Sequence, residues 1–334
     1  MMMSVMSATF LFDVVQYEIS QHLDRGIELM RCNHFADALV EFENVLILDP
    51  HDRYARWNRV LARLSLGDYA RGLPEHDCAW SLYDWRALGP VKGNIDRILS
   101  LPVWHGERCR LISYHEMGFG DAIMTLRFLP ELVDRCENVT LVVRPELVRL
   151  MQGHGATVVD TVPTDISGFD ARVTFFNSIF TMGHSLKTIP SDPYIKSDFK
   201  FTGGRMGIAW SGNSQKKFDP DFFLSHLDTC GFELFALQKF EPIAGIVQLP
   251  VCNDFKDTAD LMMTLDCIVT VDTAAAHLAG AIGHPNAHLL LPYLRDWRWW
   301  NKSVWYPLIN IYPQDDPDDW SGPFEHLNQA LHGG

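Results

Sequence analysis

The chain has 334 residues, 47% of them hydrophobic and 21% charged, with a formal net charge of −14 at pH 7. That length predicts two or three domains with ample core, and no apolar run is long enough to cross a bilayer. So acidic a chain is a poor general ligand for phosphate backbones, which argues against broad nucleic-acid binding.

The opening segment MMMSVMSATFLF has neither a basic n-region nor a clear cleavage site. It is expected to be an untidy N-terminus or a first packing segment, not a signal peptide. A repeat follows: Asn33-His34-Phe35-Ala36-Asp37-Ala38-Leu39 recurs 34 residues later as Gly67-Asp68-Tyr69-Ala70-Arg71-Gly72-Leu73. Gly26, Leu29, Phe35, Ala38, Phe42 and Pro50 fall at the small and aromatic positions of a tetratricopeptide repeat, predicting stacked helix–turn–helix pairs. Two units cannot bury a continuous core alone, so they either cap the next domain or offer a docking surface to a protein partner. An aromatic stretch with a Gly-Pro break, Asp77 to Asn94, reads as a packed connector.

From Cys109 short apolar runs alternate with helical stretches. RLISY (Arg110 to Tyr114), VTLVV (Val139 to Val143), TVVD (Thr157 to Asp160) and ARVTFF (Ala171 to Phe176) predict strands, and Asp121 to Arg135 a helix. After a polar link, Ser191 to Gly204, the alternation restarts with RMGIAW, FELFAL, GIVQL, CIVTV and AHLLL. Two successive series of this kind imply an α/β fold of two Rossmann-like parallel-sheet domains behind an all-α segment. The expected boundaries are 1–87 for the repeats, 88–200 for the first βα domain and 201–334 for the second.

Ligands of such sheets bind beyond the strands' carboxyl ends, so the loops there matter most. After RLISY comes His115-Glu116-Met117-Gly118-Phe119-Gly120-Asp121. Gly118 and Gly120 permit close backbone approach, whereas Ile123 stands where a dinucleotide fingerprint needs its third glycine. Asp121 is read either as a helix cap or as a carboxylate able to take a proton from a hydroxyl. After RMGIAW, Ser211, Gly212 and Asn213 precede Lys216 and Lys217, a set suited to an anion. Gln238 follows FELFAL. After CIVTV, Asp272 and Thr273 open a helix through Ala274, Ala275 and Ala276 to His277. This start either caps itself or, with nothing larger than alanine nearby, receives a diphosphate.

Other chemistry is thinner. The cysteines at 32, 78, 109, 136, 230, 252 and 267 show no C-x-x-C spacing, which suits reduced thiols in a cytoplasm better than disulfides or zinc. His284 and His288 are spaced i, i+4, but Pro285 between them spoils a helical ligand pair, so each is expected to be a satisfied structural histidine. The dense aromatics Trp297, Trp299, Trp300, Trp305 and Tyr306 are expected to pack, not to form a sugar platform.

Several motifs together resemble the lipopolysaccharide heptosyltransferases (glycosyltransferase family 9-like), in the subgroup fused to tetratricopeptide repeats. They are Trp80-Ser81-Leu82-Tyr83-Asp84-Trp85-Arg86, Gly118-Phe119-Gly120-Asp121, Ile208-Ala209-Trp210-Ser211-Gly212-Asn213 and Leu237-Gln238. The series continues through Asp272-Thr273-Ala274-Ala275-Ala276-His277, Asp296-Trp297-Arg298-Trp299 and Trp305-Tyr306-Pro307. The resemblance implies a GT-B fold with a nucleotide-sugar donor held mainly by the second domain. It implies Asp121 as general base, Asp272, Thr273 and His277 as ligands of the donor diphosphate, and Lys216 or Lys217 as an aid to the leaving phosphate.

The leading expectation is thus a cytoplasmic, metal-independent glycosyltransferase acting on an acceptor, such as a protein, that the repeats present. Alternatives are a non-catalytic scaffold that binds proteins and a sugar-nucleotide epimerase. No cofactor or metal is expected, because no Asp-x-Asp pair lies at a strand end beside the cleft.

Overall fold

A computed structural model describes residues 2–75, 95–185, 187–196, 198–212, 218–238, 243–247, 252–300, 304–317 and 319–333. The expected boundary at residue 87 and the aromatic connector lie outside these residues. The chain divides into two compact units, one made of Met1–Leu88 with His184–Thr188 and Asp296–Trp300, the other of the remainder. No helix among the described residues is long and apolar enough to cross a membrane.

The first unit is helical, with α1 (Met2–Arg31), α2 (Phe35–Leu48), α3 (Arg53–Ser65) and α4 (Tyr69–Glu75), each packed on the next. Connections this short make neighbours antiparallel. Asn33 turns the chain at φ 60°, and Asp52 caps α3 by accepting the Ala55 N–H at 2.7 Å. Gly26 lies under the Phe42 ring, where a Cβ would come within 2.5 Å of it. Ala38, Phe42 and Val45 are fully buried. The guanidinium of Arg63, itself buried, pairs with Glu43 and Glu75. The edge of Phe35 meets Trp300 at 5.1 Å and Tyr69 meets Trp297 at 5.4 Å, so these tryptophans pack.

Among the described residues the second unit begins with the one-turn helix α5 (Ile95–Leu99), and it holds two separate all-parallel sheets. In the first, β1 (Arg110–Tyr114) leads to α6 (Phe119–Thr125) and α7 (Leu129–Arg135), then β2 (Asn138–Val142), α8 (Val148–Met151), β3 (Thr157–Val159), β4 (Ala171–Thr174) and α9 (Ser178–Thr181). Its order is β3-β2-β1-β4. The single helix expected from Asp121 to Arg135 is instead two, joined by a 3-10 turn at Leu126–Phe128. Pro130 supplies no N–H for the helical ladder, which breaks there.

In the second sheet, β5 (Arg205–Ala209), α10 (Pro220–His226), β6 (Glu233–Ala236) and β7 (Ile246–Val247) are followed by α11 (Phe255–Met262) and β8 (Cys267–Val271). Then come α12 (Ala274–Ile282), β9 (Ala287–Leu291), β10 (Ile309–Pro313) and α13 (Ser321–His332). The order is β10-β9-β8-β5-β6-β7. Every residue of β8 and β9 is buried, as expected of parallel strands covered on both faces. The sequence pattern missed β10, whose Asn310 and Pro313 read as loop; as an edge strand it tolerates both. In each sheet the strand order reverses once, at β1/β4 and at β5/β8.

Arg127 ties distant parts of this unit together. Its Nη1 donates to the Trp305 carbonyl at 2.7 Å and the Pro190 carbonyl at 2.9 Å, its Nε to Met124. The guanidinium also lies over the rings of Tyr194, Trp305 and Tyr306. Arg127→Met keeps the apolar stem but removes the donor to the Met124 and Trp305 carbonyls in a buried setting, at about 1–3 kcal/mol each. A melting temperature lowered by several degrees is expected, and an unchanged melt would remove Arg127 from this role.

Candidate functional site

The loop after β1 and the helix after β8 meet through Gly120 and His277. A Cβ on Gly120 would fall 2.5 Å from His277 Cδ2 and 3.1 Å from Nε2, so only glycine admits this approach. Nearby, Phe119 contacts Phe255 at 4.9 Å, and Arg149 pairs with Asp254 and Asp257. Gly118, Gly120 and Asp121 are therefore brought to the start of α12.

Asp121 is the third residue of α6, not its cap: Gly118 caps the helix and the Asp121 carboxylate accepts the Gly118 N–H at 3.0 Å. At α12 the cap is Thr273. Its Oγ1 accepts the Ala275 N–H at 3.2 Å, and its carbonyl takes Ala276 and His277. Asp272 is buried beside it, and Ala274 begins the helix. Gly283, at φ 66°, closes α12 in the left-handed conformation that glycine favours.

Gln238 works on backbone. Its side-chain oxygen accepts the N–H groups of Trp210 at 2.8 Å and Ser211 at 2.9 Å, which fixes the turn after β5. Because Ala209 pairs with Thr270, the Ser211–Gly212 turn leaves the sheet beside Asp272. Asn213, Lys216 and Lys217 lie outside the described residues.

Three residues at these strand ends carried no clear signal in the sequence. Glu116 is buried; one oxygen accepts the Phe176 N–H at 3.1 Å across the β1/β4 reversal, while its Oε2 has no hydrogen-bond partner among the described residues. Burial, reinforced by the charge of Asp121, pushes its carboxyl up to about 8, so at neutral pH it is a neutral acid beside a carboxylate. His115 Nε2 donates to the Gly118 carbonyl at 3.0 Å, and burial lowers this imidazole to about 4, leaving Nδ1 a bare lone pair. Arg144, two residues past β2, lies over the Phe119 ring at 4.5 Å and puts a half-buried cation beside the loop. Its place directly after the expected run VTLVV was the available signal.

His284 and His288 are structural. His284 Nε2 bonds the Leu265 carbonyl at 2.9 Å, and His288 bridges Asn286 and Tyr312. Among the described residues the groups spaced to hold a metal are Asp228, Cys230 and His332. They precede β6 or end α13, so they lie off the strands' carboxyl ends, and Asp228 already accepts the Cys230 N–H and pairs with His332.

Neither a family model nor a curated protein matches the chain. Among solved structures, the iron-containing dodecameric glycosyltransferase TibC from enterotoxigenic E. coli is similar at 13% identity and TM-score 0.43, over 57% of this chain and 59% of that one. The chain thus spans well under two thirds of TibC. A glycosyl transferase family 9 structure from Veillonella parvula matches at 12% identity and TM-score 0.45, covering 69% and 91% of the two chains. The E. coli heptosyltransferase WaaC with ADP matches at 10% and 0.45, covering 67% and 99%.

Glu116 makes a signed pH prediction. Its folded value lies above the ordinary 4.5, so its contribution is complete below that pH and is lost as pH rises through about 8. Glu116→Gln keeps a neutral side chain. It is expected to melt like wild type near pH 4.5 and progressively higher than wild type as pH rises, by at most roughly 1.4 kcal/mol per pH unit of window. Parallel melting curves across pH would refute the buried acid. His115 acts oppositely, its contribution being lost as pH falls from 6.5 toward about 4.

Proposed function

We propose that the chain is a metal-independent glycosyltransferase of the GT-B kind, moving a sugar from a nucleotide-sugar donor to an acceptor hydroxyl. The observation that carries this reading is the Gly120–His277 approach, which sets the carboxylate of the α6 start against the α12 start at the strands' carboxyl ends. Asp121 takes the acceptor proton as the acceptor oxygen bonds to the sugar's anomeric carbon and the sugar–phosphate bond breaks. The departing nucleoside diphosphate is received by the α12 start, with Asp272, Thr273, Ala274 and His277, and by the Ser211–Gly212–Asn213 turn with Lys216 or Lys217. Helices α1 to α4, read as tetratricopeptide repeats, present a protein acceptor, and the protein works in the cytoplasm.

One observation favours a second reading, a protein-binding scaffold. Asp121 and Thr273 both have local work as helix-start ligands, which a non-catalytic fold would also need.

Titration calorimetry with ADP, UDP and GDP separates the two. Binding of one of them that persists in EDTA is expected; binding restored only by magnesium or manganese counts against the metal-free reading. Asp121→Asn is expected to leave that affinity nearly intact and to lower turnover on the order of a hundredfold to ten-thousandfold. Thr273→Val is expected to weaken binding by roughly 1–2 kcal/mol and, through its cap, stability by about 1 kcal/mol. If Thr273→Val changes only the melting temperature and no nucleotide binds, the scaffold reading holds.

A further inference from the structure

Away from the strands' carboxyl ends, three side chains of different chemistry meet. Asp228 and Cys230 lie in the loop that enters β6, and His332 is the last residue of α13. The His332 ring stands between the other two: its Nδ1 is 3.8 Å from the Cys230 sulfur and its Nε2 is 2.8 Å from Asp228 Oδ2. One ligand atom from each of the three lies within 4.8 Å of the others, and solvent reaches them all.

The loop is built to hold them there. Cys230 has φ 49°, a left-handed conformation that strains any residue with a side chain. Asp228 Oδ1 accepts the Cys230 N–H at 2.9 Å and keeps the two side chains together. Asn328, one helical turn before His332, clamps α13 to the same loop. Its Oδ1 accepts the Asp228 N–H at 2.9 Å and its Nδ2 donates to the His226 carbonyl at 2.8 Å. Segments 102 positions apart in sequence are thus held in register by a residue outside the cluster.

Zinc binds a thiolate sulfur at about 2.3 Å and an imidazole nitrogen at about 2.0–2.1 Å, and tetrahedral angles then put the two atoms about 3.6 Å apart. The Cys230–His332 spacing is already close to that. A thiolate and a carboxylate together balance a doubly charged ion, and sulfur and imidazole suit zinc better than the hard ions magnesium and calcium. We propose that Asp228, Cys230 and His332 form a zinc site that staples the end of α13 to the entry of β6. Cys230 gives up its thiol proton to solvent as the sulfur–zinc bond forms. Asp228 turns an oxygen from Nε2 to the ion, and water fills the fourth position. The amino-terminal end of β6 faces away from the strand ends where the nucleotide is expected, so this site goes beyond the glycosyltransferase reading and is independent of it.

The test takes the full chain, reduced, stripped with EDTA and desalted, and titrates it with cobalt(II) under nitrogen. Wild type is expected to show a near-ultraviolet thiolate-to-cobalt band and visible bands of tetrahedral intensity, saturating at an equimolar ratio and bleached by zinc. Cys230→Ser should lose the thiolate band, whereas Cys252→Ser, at another half-buried cysteine, should keep it. His332→Gln, an exposed change at a helix end, should weaken cobalt binding at least about tenfold. Zinc should raise the melting temperature of wild type but not of Cys230→Ser, because the three ligands come together only in the folded chain. A wild-type chain without the thiolate band, a band that survives Cys230→Ser, or an affinity unchanged by His332→Gln overturns the proposal. Nucleotide titrations with and without zinc keep the two readings apart: no nucleotide binding in either counts against the glycosyltransferase and leaves the zinc site standing.

Discussion

A hydrogen where every other residue carries a carbon holds the second unit's chemistry together. Gly120 lets the edge of His277 lie against backbone, and through that contact two sheets, each complete in itself, share one set of residues. Any side chain there would force α6 and α12 apart, and with them Asp121 from the Asp272–Thr273 turn. The surrounding clasp is built of weaker parts. The exposed pairs from Arg149 to Asp254 and Asp257 contribute little individually, so close packing sets the alignment.

Both sheets use the same device beyond a pair of neighbouring strands, the first at its β1/β4 reversal and the second beside it, at β5/β6. Two residues beyond the Tyr114–Thr174 pair, the Glu116 carboxyl receives the Phe176 N–H. Two residues beyond the Ile208–Ala236 pair, the Gln238 side-chain oxygen receives the Trp210 N–H. In each case a side-chain oxygen extends a ladder past the last strand residue and stiffens the loop that follows. Gln238 does this as a neutral amide, Glu116 as an acid that burial holds neutral.

Much of this was legible beforehand. The repeat placed α2 and α4 with starts 34 residues apart, and apolar runs placed nine of the ten strands, because buried parallel strands write themselves as continuous β-branched segments. The loops that converge were picked out by small residues at strand ends. What stayed hidden depended on distant partners. Nothing local tells that Asp121 faces the Gly118 amide as the third helical residue, that Gln238 reaches back to Trp210, or that Tyr306 stands against His277. The edge strand β10 was hidden for a different reason, since half-exposed positions leave no apolar pattern to read.

The helical unit also has an order-of-synthesis problem. Phe35 and Tyr69 emerge early, yet the rings they meet, Trp300 and Trp297, are translated more than two hundred residues later. At about 5–20 residues per second, that leaves roughly ten to fifty seconds in which α2 and α4 lack their aromatic partners. Helices α2 and α4, made well before these tryptophans, are thus finished late, and their nascent apolar surface is where a chaperone would find work.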